Sequence, residues 1–321
     1  MRSSPRRTFL VTAVVAAALS VPAARAADAT FLNVLTGGTS GVYYPLGVAL
    51  SQIYGREIPD VRTSVQATKA SAENLNLLQS GRGEVAFTLG DALSDAWKGN
   101  ADAGFPKKLD KLRGIAGLYP NFIHLVARGD AGIRSLADLK GKRVSVGAPK
   151  SGTELNSRAI LKAAGMTYAD LGQVQYLPYA ESVELIKNRQ LDATLLSSGK
   201  GVAAIRDAAA TSNVVILSIP ASVVAKVGDP AYVPCTIPAD TYTGQTKPVD
   251  TACVVNFLVT REGLPAELVY RMTKDMFANL PALVAAHGAA KDISRDQALK
   301  GMPVPLHPGA ERYYKEVGLL K

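Results

Sequence analysis

The chain has 321 residues, 47% of them hydrophobic, with a formal charge of +9 and two cysteines. That length and apolar share suit two domains with their own cores, since one domain takes about 100–200 residues. No basic stripe interleaved with aromatics is present, which excludes a nucleic-acid surface, and no later stretch is long and apolar enough to span a membrane.

The N-terminus reads as an export signal. Arg2, Arg6 and Arg7 precede the apolar run Phe9 to Leu19, and Ala24-Arg25-Ala26 has the form of a cleavage site. The run is shorter than the ~20 residues of a membrane span. Residues 1–26 are therefore expected to be removed after Ala26, leaving a periplasmic chain that begins at Ala27. Arg6-Arg7-Thr8-Phe9-Leu10 also resembles a twin-arginine signal, with Pro5 where that signal usually has Ser, Thr or Arg. Residues 1–26 hold four of the 36 Lys and Arg and none of the 27 Asp and Glu, so the mature chain carries +5. Such a field helps gather small anions.

Phe31 to Leu35 reads as a strand, and Leu46, Leu50, Ile53 and Tyr54 put one apolar face on a helix from Pro45 to Arg56. Between them lies Thr36-Gly37-Gly38-Thr39-Ser40-Gly41-Val42-Tyr43-Tyr44. A glycine-rich turn at a helix start bares backbone N–H groups and presents the positive end of the helix, which suits an anion. Dinucleotide and nucleotide sites are excluded, because there is no G-x-G-x-x-G and no Gly-Lys-Ser/Thr. Val61 to Gln66 alternates as a strand, and Ser71 is placed as the N-cap of a helix from Ala72 to Ser80. Val85 to Leu89 is a buried strand ending at Gly90-Asp91. Gly114 to Leu118 and Phe122 to Ala127 read as two strands broken by Tyr119-Pro120-Asn121, a crossing from one lobe to the other.

The same grammar continues beyond the crossing. Arg143 to Gly147 is a strand, and Ser151 and Glu154 have capping-box spacing at the start of a helix facing inward through Leu155, Ala159, Ile160 and Ala163. Strands follow at Gln173 to Leu177, Leu191 to Leu196 and Val214 to Ile219, with a helix from Glu181. Thr251 to Thr260 is a strand that could cross back, and helices from Pro265 close the chain. Alternating strands and helices predict an α/β protein with a mainly parallel sheet in each lobe. The binding loops then lie at the carboxyl ends of strands.

Thr36 to Gly47, Thr68 to Asn74, Lys150 to Glu154, Pro303 to Ala310 and Glu311-Arg312-Tyr313-Tyr314 together resemble the TAXI-type solute receptors of TRAP transporters. The likeness runs over nearly the whole mature chain. It implies a two-lobed periplasmic binding protein of type II-like form, with lobe 1 over residues 27–119 and 255–321, lobe 2 over 120–254, and a ligand cleft between. It also implies a small organic acid ligand such as glutamate, 2-oxoglutarate or another dicarboxylate, and a TRAP-type integral membrane permease as partner. The expected site is Gly38, Thr39, Ser40, Gly41 and Tyr43, with Thr68, Ser71, Asn74 and Asp91 near it and Lys150, Ser151, Gly152, Thr153 and Ser198 from lobe 2. Lys69-Ala70 stands where the family has a glycine pair, and Gly199-Lys200-Gly201 where it often has Gly-x-Pro. Both departures bring a lysine toward the site.

A monomer without cofactor or metal is expected. His124, His287 and His307 are isolated. Ser197 and Lys200 match S-x-x-K without S-D-N or K-T-G, and G-x-S-x-G is absent. An enzyme on the same two-lobed fold and a sensor uncoupled from transport are the other readings. Cys235 and Cys253 are 18 positions apart, and export to an oxidising compartment predicts a disulfide between them. Both also stand where the resembling family has small residues.

Overall fold

The computed structural model describes residues 30–321, and the export signal with its cleavage after Ala26 lies outside them. The first half of the chain gives β1 (Thr30–Leu35), α1 (Tyr43–Glu57), β2 (Val61–Gln66), α2 (Ser71–Gln79), β3 (Val85–Leu89), α3 (Gly90–Lys98) and β4 (Leu112–Arg128). Then come β5 (Arg143–Ser145), α4 (Gly152–Ala163), β6 (Gln173–Gln175), α5 (Tyr179–Lys187), β7 (Ala193–Ser198), α6 (Ala203–Thr211) and β8 (Val214–Leu217). The chain ends with α7 (Ala221–Lys226), β9 (Val233–Ile237), β10 (Val249–Arg261), α8 (Ala266–Ala278), α9 (Leu280–Ala286) and α10 (Pro308–Glu316).

The strands join in the order β2-β1-β3-β10-β4-β7-β5-β6, with β8 also on β4 and β9 on β10. Each outer group is parallel: β1 pairs with β2 and β3, and β5 with β6 and β7. The centre is antiparallel, because β10 runs against both β3 and β4, and β4 against β7. Two parallel units thus share two long strands. This is an α/β architecture of two sheet-and-helix units, as the alternating elements predict.

The crossing differs from the two broken strands expected. β4 runs unbroken for 17 residues through Tyr119-Pro120-Asn121. Pro120 has no N–H to give, yet it is accommodated where the β4–β10 register shifts between Val255 and Phe257. The helix faces follow their periodicity: Leu46, Leu50, Ile53 and Tyr54 of α1 are all buried, and each of the three aliphatic side chains contributes about 1.5–3 kcal/mol. Strand β3 passes directly into α3, whose Ala92, Leu93 and Ala96 pack inward, so Asp91 stands in a helix rather than at a strand end. The terminal motif adds to the sheet: Leu306 bridges Gly114 at the start of β4, and His307 Nδ1 accepts from the Gly309 amide to cap α10. Cys235 on β9 and Cys253 on β10 form a disulfide. Among the described residues no helix is long and apolar enough to cross a membrane.

Candidate functional site

The carboxyl ends of β1, β3 and β7 deliver their loops to one cavity of about 130 Å³. The starts of α1, α2, α4 and α5 all line it. Of these, α1, α2 and α5 have no side-chain cap, so first-turn N–H groups are left for solvent or a ligand, except that of Glu73 in α2, which donates to the Lys150 carbonyl. Their positive ends add to one another in the same small volume.

Ten of the predicted residues meet there: Gly38, Ser40, Gly41, Tyr43, Thr68, Ser71, Ser151, Gly152, Thr153 and Ser198. The two sides approach closely at Gly152, since a Cβ there would fall 2.5 Å from Ser71 Oγ and 2.6 Å from Leu89 Cδ1 and would push both side chains aside. Four predicted residues do not line the cavity. Thr39 is exposed on the outside of the turn, and Lys150 is exposed with its carbonyl accepting from the Glu73 amide at 3.2 Å. Asn74 is wholly buried and donates to the carbonyls of Thr36 (2.7 Å) and Phe87 (2.9 Å), so it holds the turn in place. Asp91 lies deeper, bonded to Asn156 and Tyr232.

The hydrogen bonds decide which hydroxyls remain for a ligand. The Tyr43 hydroxyl donates to Asn256 Oδ1 at 2.5 Å and its ring stacks on Phe87, so Tyr43 serves the site as wall, with its proton already committed. Burial raises its pKa well above the ordinary phenol value. Tyr179 Oη donates to the Ser197 carbonyl at 2.5 Å and therefore accepts from Thr153 Oγ1 at 2.7 Å. Burial pushes the Tyr179 phenol up to about 12, which keeps it neutral. Ser151 Oγ accepts from the Glu154 amide at 3.1 Å and keeps its own proton to donate. The reciprocal half of that capping box is absent, because the Glu154 carboxylate turns to Arg158 instead. Ser71 lies inside α2 rather than capping it, and its Oγ accepts from the Leu89 amide at 3.1 Å. The cavity is therefore rich in donors, with Tyr43, Tyr179, Leu89, Ala148 and Pro178 as an apolar wall.

Among the described residues Lys69 is the only charged one on the lining. Lys200, the other lysine brought forward by the family departures, pairs with Asp292 at 3.1 Å and lies over Phe122. Sequence reasoning missed Tyr179, Asn121 and Ser197 as lining residues. Tyr179 was legible in principle: it opens a helix after a strand, as Tyr43 does. Asn121 and Ser197 sit inside strands and gave no such signal. The histidines lie elsewhere. His124 is buried, with Nδ1 near the Leu196 carbonyl and Nε2 near Tyr242 Oη, and burial lowers it to about 4.

Many solved structures share the fold, among them the following three. The alkanesulfonate-binding protein SsuA from Xanthomonas axonopodis pv. citri, bound to MOPS, is 13% identical over 92% of this chain and 93% of its own, with a TM-score of 0.52. PhnD1 from Prochlorococcus marinus, in complex with methylphosphonate, is 12% identical over 90% and 98%, with a TM-score of 0.59. A structure described as a periplasmic transporter is 13% identical over 90% and 93%, with a TM-score of 0.56. At these identities the likeness is one of fold. In sequence, residues 34–318 match the NMT1-like family, and the protein belongs to that family.

Proposed function

We propose that this protein is an extracytoplasmic solute receptor that captures a small organic acid in the cleft and hands it to a TRAP-type permease. One observation carries the reading: the uncapped starts of α1, α2 and α5 converge with donor hydroxyls on one small cavity, the form of an anion site. The permease assignment rests on the motifs at Thr36–Gly47 and Pro303–Ala310. The periplasm follows from the export signal read at residues 1–26 and from the periplasmic proteins that share the fold.

The lining also narrows the ligand. Among the described residues Lys69 is its single cation, and much of the rest is apolar. A dicarboxylate would set its second charge against Tyr43, Tyr179 and Leu89, where desolvation is costly. The cavity suits one anionic head on a short apolar body, with a monocarboxylate as the leading candidate.

A thermal-shift panel of short monocarboxylates, dicarboxylates, methanesulfonate, methylphosphonate and neutral sugars tests this. Binding at a hundred times Kd adds about 2.7 kcal/mol of stability. Monoanions should raise Tm, Ser40→Ala and Lys69→Gln should reduce the gain, and the acid should be recovered unchanged. A sugar that stabilises the protein while every monoanion leaves Tm unmoved would overturn the reading.

A further inference from the structure

Contact between the two halves extends beyond the cavity along α4. At one end the Glu73 amide donates to the Lys150 carbonyl. At the other, Arg158, held to Glu154 by bonds of 2.7 and 2.6 Å, also donates to the Asp102 carbonyl at 2.6 Å. Between them Asn156 of α4 and Tyr232, just before β9, reach across to Asp91 of α3. Asp91 Oδ2 accepts from Asn156 Nδ2 at 2.6 Å and from Tyr232 Oη at 2.5 Å. Asp91 Oδ1 is buried without a partner, and the residue is 3% exposed. Among the described residues no ion pair includes Asp91, and the charged groups acting on it are the acids Asp229 and Asp95. A buried carboxylate with no counter-ion opposes whatever state buries it.

We propose that Asp91 sets the balance between open and closed cleft: closure buries its charge in the seam with Asn156 and Tyr232, and this shortens the stay of a bound solute at neutral pH. The inference rests on the receptor reading, because it concerns how that receptor opens.

Its sign follows from burial. Burial first, with Asp229 and Asp95 reinforcing it, raises the Asp91 carboxyl from 3.8 to about 6, against the donation from Tyr232. A group whose pKa is raised on closing favours the closed form fully below its ordinary pKa. That support is lost as pH rises through about 6. The other titratable groups here do not reverse this. Burial raises the phenols of Tyr232 and Tyr43, which stay neutral throughout, and Arg158 is committed to Glu154 and Asp102.

The Glu73 amide reports closure without any ligand, since its acceptor lies across the cleft. Its hydrogen-exchange protection, corrected for the intrinsic pH dependence of exchange, measures opening. From pH 5 to pH 8 wild-type protection should fall about tenfold, the factor expected for this shift. Asp91→Asn keeps the shape and removes the charge. It should show a flat profile and about a hundredfold more protection than wild type at pH 8, the whole of the shift from 3.8 to about 6. Tyr232→Phe removes a donor and leaves the charge, so it should lower protection at pH 8. A flat wild-type profile, or an Asp91→Asn variant that loses protection as Tyr232→Phe does, would overturn the proposal. Failure of the acid panel would leave this result standing and would count against the receptor reading instead.

Discussion

Ala70 adopts φ 71° and ψ −149°, a region that side chains other than glycine enter only under strain. It stands just before α2, where the resembling family has glycine and this chain has Lys69-Ala70. Strain there is worth about 1–3 kcal/mol, and glycine returns about 0.5–1 kcal/mol in chain entropy. Ala70→Gly should therefore stabilise the protein by about 1 kcal/mol, read as a higher urea midpoint at unchanged slope. A lower midpoint would show that the loop relieves the strain in another way. At this scale the sequence was legible in part. Residue type and spacing found ten lining residues, because glycines and hydroxyls after a strand mark a helix start. Spacing could not tell which way a hydroxyl turns. Ser71 looked like a cap and instead accepts from Leu89, and the Tyr43 phenol looked free and is committed to Asn256.

Elements were more legible than side chains. The 3.6-residue spacing of Leu46, Leu50, Ile53 and Tyr54 sets the buried face of α1, and alternation at Val61, Thr63 and Val65 sets β2. Continuity of β4 was hidden, because Pro120 reads as a break unless the bulge opposite it on β10 is known. The disulfide belongs to this scale, since it ties β9 to β10, neighbours in register through Thr251 and Cys235. The separation of 18 residues closes a modest loop. Losing such a link costs about 3 kcal/mol through the unfolded chain. Cys235→Ser with Cys253→Ser should lower stability by about that amount in urea. Intact mass of the exported protein should be two hydrogens short of the reduced value. Equal stability of reduced and oxidised protein would mean that native strain cancels the gain.

At the scale of the whole molecule, the two long central strands β4 and β10 join the halves, so any turning of one half against the other would bend them. The lobe boundaries proposed at 119/120 and 254/255 fall inside β4 and β10, so any hinge is made of strand rather than loop. The register shift beside Asn256 is its natural centre, because a bulge bends more easily than a paired ladder. Asn256 also joins that point to the cavity. Its Oδ1 accepts from Tyr43, and its Nδ2 donates to the Tyr119 carbonyl at 2.9 Å and to Asn121 Oδ1 at 3.3 Å. Tyr43 and Asn121 line the cavity, so under the proposed receptor function a solute pressing on either would act on the bend. A ligand favours closure only through contacts it gains there. Small-angle scattering should therefore show wild type compacting on adding the acid that raises Tm. Asn256→Ala leaves buried polar partners unmet at about 1–3 kcal/mol each and cuts the link. It should bind that acid at least about tenfold more weakly, a loss of about 1.4 kcal/mol or more, and should compact less at equal saturation. Wild-type affinity and full compaction in Asn256→Ala would place the hinge away from this residue.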